Sequence, residues 1–391
     1  MTPKELFLNS ISAYLLGEAV AAELSEDGWR RLIRLAQEQK MLPMVFEAAG
    51  GSMPENLRAD CKKQVKRLVA AQTARTAEFL SAYRELACAG IRPLVVKGVV
   101  CRAVYPKPDL RTSADEDLYI PLTGYSAFHE KMLELGFQAK DPDYKNSHEA
   151  RYMRNGLLME GHWDLFPRDS SALNVLNGYN DSFFTRAQTR RIEGADLLTL
   201  EDTDHMIFLL LHTYKHFINS GVGLRQICDI AQWAKSCSLD WLRIKDAMSS
   251  IDGEYFAAAI FAAAEKYCGM SFPEGWPEAD CAALIEDALD GGVYGSSDMS
   301  RRHSGTMTLS AVEAARESKL HIPLARTLFP NRSVMEVSFP WVKKSAALLP
   351  WAWTLRIVRY LGQRGEGNSA AESIRLGTLR TELLREYKII K

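Results

Sequence analysis

Two aspartates separated by one residue open a short apolar run and form the strongest chemical feature of the sequence. Asp115 and Asp117 are followed by Leu118 and Tyr119. On a β-strand alternate side chains share a face, so the two carboxylates point the same way and Glu116 points the other way. Adjacent carboxylates repel each other unless a cation lies between them, and Mg²⁺ accepts one or two carboxylates together with phosphate and water oxygens. The spacing therefore predicts a magnesium site that handles phosphates.

A solvated acidic loop is the alternative interpretation of this motif, because short acidic runs are common in loops. Three features favour the metal site. The acids open an apolar run instead of a polar tract, and a Lys97-Gly98 turn follows an upstream strand-like run. Arg111 and Ser113 precede the acids, at positions suited to phosphate contacts.

A third carboxylate completes a site for two metal ions, and the run 159–164 offers two candidates. Period-two alternation would place Glu160, His162 and Asp164 on one face of a strand. Glu160 and Asp164 both remain open as the third acid at this stage. An exposed face of an edge strand is the remaining interpretation of the run.

A helix predicted over residues 202–217 carries three of the eight histidines. His205, His212 and His216 are spaced by seven and four residues, so they form one stripe, with Lys215 beside it. A zinc site is disfavoured because the Lys215 ammonium would oppose a bound cation. The stripe predicts contacts to phosphate or to a nucleotide base, against the alternative of an ordinary polar face.

Arg225 and Asp229 lie four residues apart on the next predicted helix. Such a pair is usually a surface salt bridge of little energetic value. Beside a bound nucleotide the same pair would orient an acceptor or a phosphate.

The elements that must position these residues divide the chain into three regions, which predict an α+β fold. Residues 1–90 and 201–391 read as helical, and residues 91–200 read as a mixed α+β module. Within that module Leu94–Val96 is a strand-like run, and Asn155-Gly156 joins two further strand-like runs, the strongest short signal for a hairpin.

Composition narrows the partners of the chain. The 391 residues carry a formal net charge of −1, so no global basic field exists to hold nucleic acid. The seven cysteines are odd in number and form no C-x-x-C pair, which predicts a reducing cytoplasm without disulfides or structural zinc. The sequence contains no run of 18 apolar residues and therefore predicts no transmembrane segment.

These motifs together resemble the DNA polymerase β superfamily of nucleotidyltransferases, and more closely a bacterial family of uncharacterised nucleotidyltransferases. The resemblance covers most of the chain, and its central residues are the specific ones. They are Lys97-Gly98, Tyr105-Pro106, Arg111, Asp115 and Asp117, Glu160 with His162-Trp163, His212 with Lys215-His216, and Arg225 with Asp229.

The resemblance implies a minimal nucleotidyltransferase core of mixed β-sheet, flanked by helical regions. It also implies transfer of a nucleoside monophosphate from a nucleoside triphosphate with Mg²⁺. By position, Asp115, Asp117 and Glu160 would be the catalytic, metal-binding acids. The residues implied near the nucleotide are Lys97, Gly98, Arg111, Ser113, His162, His212, Lys215, His216, Arg225 and Asp229.

Three functions compete at this stage. The first is an Mg²⁺-dependent enzyme acting on an unknown acceptor, a small molecule or a protein side chain. The second is a catalytically inactive nucleotide-binding or partner-binding protein. The three acids favour the enzyme, whereas Gly98-Val99, in place of the superfamily's usual Gly-Ser turn, favours the binder. The third is a helical scaffold that docks through the Trp-rich segment 339–362.

Overall fold

The computed structural model describes residues 1–140, 148–168, 170–292, 299–316, 329, 332, 335–336, 339–362 and 370–391. Its α-helices are α1 Pro3–Leu16, α2 Glu26–Glu38, α3 Leu42–Ala49, α4 Glu55–Cys88, α5 Val99–Arg102, α6 Tyr125–Glu134, α7 Ser171–Asn174, α8 Asn180–Thr185, α9 Asp202–Asn219, α10 Leu224–Ser236, α11 Trp241–Ser249, α12 Glu254–Cys268, α13 Ala282–Gly291, α14 Met299–Arg316, α15 Leu349–Gly362 and α16 Ala370–Glu386. Its strands are β1 Leu94–Val95, β2 Asp115–Tyr119, β3 Gln138–Ala139, β4 Glu149–Arg154, β5 Leu157–His162, β6 Gln188–Ile192 and β7 Ala195–Thr199.

The strands form one mixed sheet in the order β3-β4-β5-β2-β1-β7-β6. β2 lies near the middle, parallel to β5 and antiparallel to β1. β1 is parallel to β7, and the outer pairs β3-β4 and β6-β7 are antiparallel. The predicted α+β class is confirmed. Asp115 pairs with Leu158, so β2 begins at Asp115 and contains both aspartates.

One continuous hydrophobic core runs from Leu6 in α1 to Ile390 beyond α16, so helices from both ends of the chain pack around the sheet. α1 packs against α2, α3 and α12, and α14 packs against α9 and α16. Within the described ranges, no helix combines the length and the apolarity needed to cross a lipid bilayer.

Helix α4 holds the loop that leads into β2. Its 34 residues contain no proline or glycine, and at 1.5 Å per residue the helix is about 50 Å long. Gln72, buried on this helix, accepts a hydrogen bond from the backbone N–H of Ser113 at 2.8 Å. Thr76 receives a hydrogen bond from Arg102, whose other amino group donates to the Ser113 hydroxyl at 2.6 Å. The approach to the acidic strand is therefore fixed by buried polar contacts.

The turn between β1 and α5 requires glycine for two reasons. Gly98 has φ +57°, in the region that L-residues rarely adopt. A Cβ at this position would lie 1.8 Å from Oε2 of Glu116. That carboxylate is buried, paired with Arg102, and accepts a hydrogen bond from the Val99 N–H at 2.7 Å. The close approach of Glu116 to the turn is possible only without a side chain.

Gly98→Ala should therefore lower the free energy of unfolding by about 2–5 kcal/mol, combining backbone strain with a clash against a carboxylate that cannot move freely. Urea unfolding measures the loss. Gly156→Ala is the matched control, because Gly156 has φ +78° and an added Cβ would meet no described atom within 4 Å. The control should lose only the backbone part, about 1–2 kcal/mol. Equal losses would show that contact with Glu116 is not what requires glycine.

Candidate active site

The register of three neighbouring strands brings acidic and histidine side chains onto one face of the sheet. Asp117 lies directly opposite Glu160 in the parallel β2-β5 pair. Glu149 lies directly opposite His162 in the antiparallel β4-β5 pair. Side chains on directly paired residues share a face and lie close together. Asp115, two residues before Asp117, is on the same face by alternation.

These side chains open into a cavity of about 240 Å³ between the sheet and helix α9. All four acids come from strands of the sheet, and α9 contributes three of the five lysine and histidine side chains. The lining residues are Val96, Lys97, Asp115, Asp117, Glu149, Glu160, His162, Leu165, Phe208, His212, Lys215 and His216.

Asp117 is the most strongly held acid of the cavity. Its Oδ2 lies 2.7 Å from the Lys97 Nζ, and both side chains are only 8% exposed. Burial alone would raise the pKa of this carboxyl group, but the Lys97 ammonium and His162 outweigh burial and hold the pKa well below its usual range. Asp117 is therefore ionised at neutral pH, with an ammonium group as its counter-ion.

Glu160 has the opposite electrostatic environment. Burial, together with the charges of Asp117 and Glu149, raises the pKa of Glu160 to about 7. One ligand atom each from Asp117, Glu160 and His162 lie within 4.8 Å of one another, a spacing that suits a shared cation. Asp115 lines the same cavity but is not part of this closest group. Carboxylate oxygens are the donors that Mg²⁺ prefers, so this end of the cavity fits that ion.

The raised pKa of Glu160 has a consequence for stability without metal. The folded-state pKa lies above the ordinary value of 4.5, so ionisation of Glu160 opposes folding, with a penalty that builds from pH 4.5 and is complete above pH 7. Glu160→Gln, which cannot ionise, should therefore be more stable than wild type at pH 8 by about 1–3 kcal/mol. Urea unfolding in chelator at pH 8 and pH 5 measures this difference, which should be small at pH 5. If Glu160→Gln were no more stable than wild type at pH 8, burial and the charges of Asp117 and Glu149 would not destabilise the ionised Glu160.

Helix α9 supplies the basic wall of the cavity. The Nε2 atoms of His212 and His216 lie 3.3 Å apart, and Nε2 of His212 lies 3.4 Å from the Lys97 Nζ. Burial and the neighbouring lysine charges lower the pKa of both imidazoles well below the usual value, so both are neutral at pH 7. The lysines that line the cavity are Lys215 on α9 and Lys97, which follows β1. His205, the third residue of the predicted stripe, lies outside the cavity, with its ring centroid 4.1 Å from that of Trp233.

Four residues predicted near the nucleotide lie outside the cavity, in a buried network behind it. Arg111 donates two hydrogen bonds to Asp229, from Nε at 2.6 Å and from Nη2 at 2.5 Å. Tyr105 donates a third bond to Asp229 at 2.6 Å, and Arg225 donates to the carbonyl oxygen of Thr112 at 2.6 Å. The charge of Arg225 also helps to lower the pKa of Asp229, after burial, which raises it, and the larger effect of Arg111. The fourth residue, Ser113, receives the Arg102 bond described above, and the network holds residues 111–113 in front of β2.

Gly98 and Asp164 also lie away from the cavity lining. Gly98 faces Glu116, as described above. β5 ends at His162, so strand alternation does not extend to Asp164. The Asp164 carboxylate instead pairs with Arg168, with Nε 2.6 Å from Oδ2. Of the two candidates for the third acid, the geometry favours Glu160.

Four residues of the cavity were not singled out from the sequence. Val96, Leu165 and Phe208 are apolar and carry no chemical signature. Glu149 had a usable signal, because a two-residue Asn155-Gly156 turn fixes the hairpin register. Counting back from Arg154 and forward from Leu157 pairs Glu149 with His162.

The chain is thus an α+β protein in which a mixed sheet presents paired carboxylates to a helix that bears lysine and histidine. Such a site is suited to binding an anionic ligand through a cation held by the carboxylates. The family model of uncharacterised nucleotidyltransferases matches residues 25–269, and the chain belongs to that family. No curated protein and no solved structure matches the chain. The match includes every residue of the cavity and supports a general role in nucleotidyl transfer.

Proposed function

We propose that the protein is an Mg²⁺-dependent nucleotidyltransferase that moves a nucleoside monophosphate from a nucleoside triphosphate to a small molecule or a protein side chain. The observation that carries this proposal is the direct pairing of Asp117 with Glu160 in a cavity that is also lined by Lys97 and Lys215. Carboxylates and lysine side chains that line one cavity suit a metal-bound polyphosphate.

The acids and the basic residues of the cavity have separate roles in this proposal. Asp117 and Glu160, with Asp115 beside them, hold the metal. Bound there, Mg²⁺ would withdraw charge from the phosphate oxygens and favour attack by a hydroxyl group. Lys97 and Lys215 contact the phosphates, and the neutral His212 and His216 offer ring N–H groups as donors to phosphate or base.

The acceptor class follows from charge and size. The net charge of −1 provides no general attraction for a nucleic-acid acceptor. A cavity of about 240 Å³ has room for part of a nucleotide and a small acceptor group. All seven cysteines have free thiols, which supports a reducing cytoplasm as the setting.

A nucleotide-binding protein without catalysis is the second candidate, and one observation favours it. The N–H of Val99, in the turn that would approach the phosphates, is bound to the Glu116 carboxylate. That amide is therefore not available to a triphosphate, and Val99 offers no hydroxyl group in its place.

Calorimetry with each nucleoside triphosphate, with Mg²⁺ or with chelator, tests the proposal. We expect binding that depends on Mg²⁺ and that is lost in Asp115→Ala/Asp117→Ala. No binding by wild type, or equal binding by the double variant, would reject the site. Transfer of label from α-labelled triphosphates into an extract of small molecules and proteins then separates the two candidates. Tight binding without label transfer or pyrophosphate release would indicate the binding protein.

A further inference from the structure

The Nε2 atom of His162 faces Asp117, and the Nδ1 atom of the same ring lies beside a second group of possible metal ligands. His148 precedes β4, Glu149 begins it, and Glu149 lies opposite His162 across the hairpin. Nε2 of His148 lies 3.4 Å from Oε2 of Glu149, and Nδ1 of His162 lies 3.3 Å from the same oxygen. These three ligand atoms lie within 4.8 Å of one another.

We propose that His148, Glu149 and His162 form a site for a divalent transition-metal ion of the zinc type, next to the carboxylates of Asp117 and Glu160 and joined to them through the His162 ring. Two imidazole nitrogens and one carboxylate oxygen are a common donor set for such ions when a fourth position stays open. Zn–N bonds of about 2.05 Å in a tetrahedral site place donor atoms about 3.3 Å apart, which matches both distances to the Glu149 oxygen.

The unmet hydrogen-bonding capacity of the two imidazoles supports this site. Nδ1 of His162 and Nε2 of His148 are buried and have no hydrogen-bond partner among the residues the structure describes. The His162 side chain is only 8% exposed, so an unsatisfied nitrogen there carries a cost.

The two metal sites differ in the chemistry of their donors. The carboxylates of Asp117 and Glu160 suit a hard ion, whereas the imidazoles of His148 and His162 suit a softer one. Lys215 lines the cavity and its charge opposes any added cation, so we expect weaker affinity than in a structural zinc site. A metal on Nδ1 of His162 places the ring proton on Nε2, which faces Oδ1 of Asp117 at 3.4 Å. The site would thereby fix the tautomer of His162.

Zinc calorimetry and the visible spectrum of bound Co²⁺ test the site, with the full chain in excess Mg²⁺ and no nucleotide. We expect one equivalent of Zn²⁺ and the absorption of a low-coordinate cobalt site. His148→Ala should lower the zinc affinity at least about tenfold and remove that absorption, because a ligand is lost. Glu149→Gln should do the same while keeping the size of the side chain. The matched control is His129→Ala, a half-buried histidine bonded to Tyr152 outside the cavity, and it should bind as wild type does.

Two results would overturn the proposal. One is the absence of zinc binding by wild type in excess Mg²⁺. The other is unchanged zinc affinity in both His148→Ala and Glu149→Gln, particularly if Asp117→Asn abolishes zinc binding, which would place the ion among the carboxylates instead. Because no nucleotide is present, either result leaves the proposed nucleotidyl transfer to its own test.

Discussion

Asp117→Asn should lower the rate of nucleotidyl transfer by about 10³-fold, a loss of about 4 kcal/mol of transition-state stabilisation. Asp117 is the ionised acid at the centre of the cavity, and its carboxylate is the one that the Lys97 ammonium neutralises when no metal is bound. Asparagine keeps the shape of the side chain but removes the charge that would hold a cation. The measurement is label transfer from an α-labelled triphosphate at saturating Mg²⁺.

Asp164→Asn is the matched control for this experiment. Asp164 is an equally buried acid a few residues beyond Glu160, but it is bound by Arg168 and does not line the cavity. Its variant should transfer label at close to the wild-type rate, whereas Glu160→Gln should be impaired. Strong impairment of Asp164→Asn with normal activity of Glu160→Gln would reverse the assignment of the third acid. Circular dichroism on each variant separates loss of activity from loss of fold.

Asp229→Ala should lower the free energy of unfolding by about 3–5 kcal/mol, because it leaves the guanidinium of Arg111 buried without its partner. Arg111 is 1% exposed and Asp229 is 4% exposed. Burial would raise the pKa of Asp229, but the charge of Arg111 and its hydrogen bonds hold that pKa below the ordinary value. Urea unfolding measures the change in stability.

Two further variants sharpen this second prediction. Arg191→Ala breaks an exposed pair with Asp196 at 3.2 Å and should cost less than about 1 kcal/mol. The double variant Arg111→Met/Asp229→Met should lose less free energy of unfolding than the two single variants lose together, because no uncompensated charge stays buried. If Asp229→Ala were fully stable but bound nucleotide weakly, the pair would act on the ligand and not on the loop.

Asp229 is a residue whose main partner could not be predicted from the sequence. The i, i+4 spacing correctly placed Arg225 and Asp229 on one helix, but it carried no information on Arg111, which is 118 residues away and binds the carboxylate. Long-range pairing of charges depends on how α10 packs against the loop before β2. A single sequence does not contain that packing in readable form.

Local periodicity was more informative on the strands. Alternation correctly placed Asp115 and Asp117 on one face and Glu116 on the other, because β2 has regular pairing with β5 over its whole length. Alternation does not apply to Asp164, because β5 ends at His162, two residues before it. The three histidines of α9 also lie in two different places. His205 packs against Trp233 of α10, whereas His212 and His216 line the cavity.

The ion pair between Lys97 and Asp117 also sets an order of addition. A metal that binds Asp117 competes with the Lys97 ammonium for the charge of that carboxylate, and a buried cation left without its counter-ion is costly. On the proposed function, the triphosphate supplies the anion that Lys97 then needs. Metal and nucleotide should therefore bind synergistically, each raising the affinity for the other by the same factor. Free Mg²⁺ alone should bind weakly, and the resting protein should keep its fold in chelator because it carries an internal counter-ion.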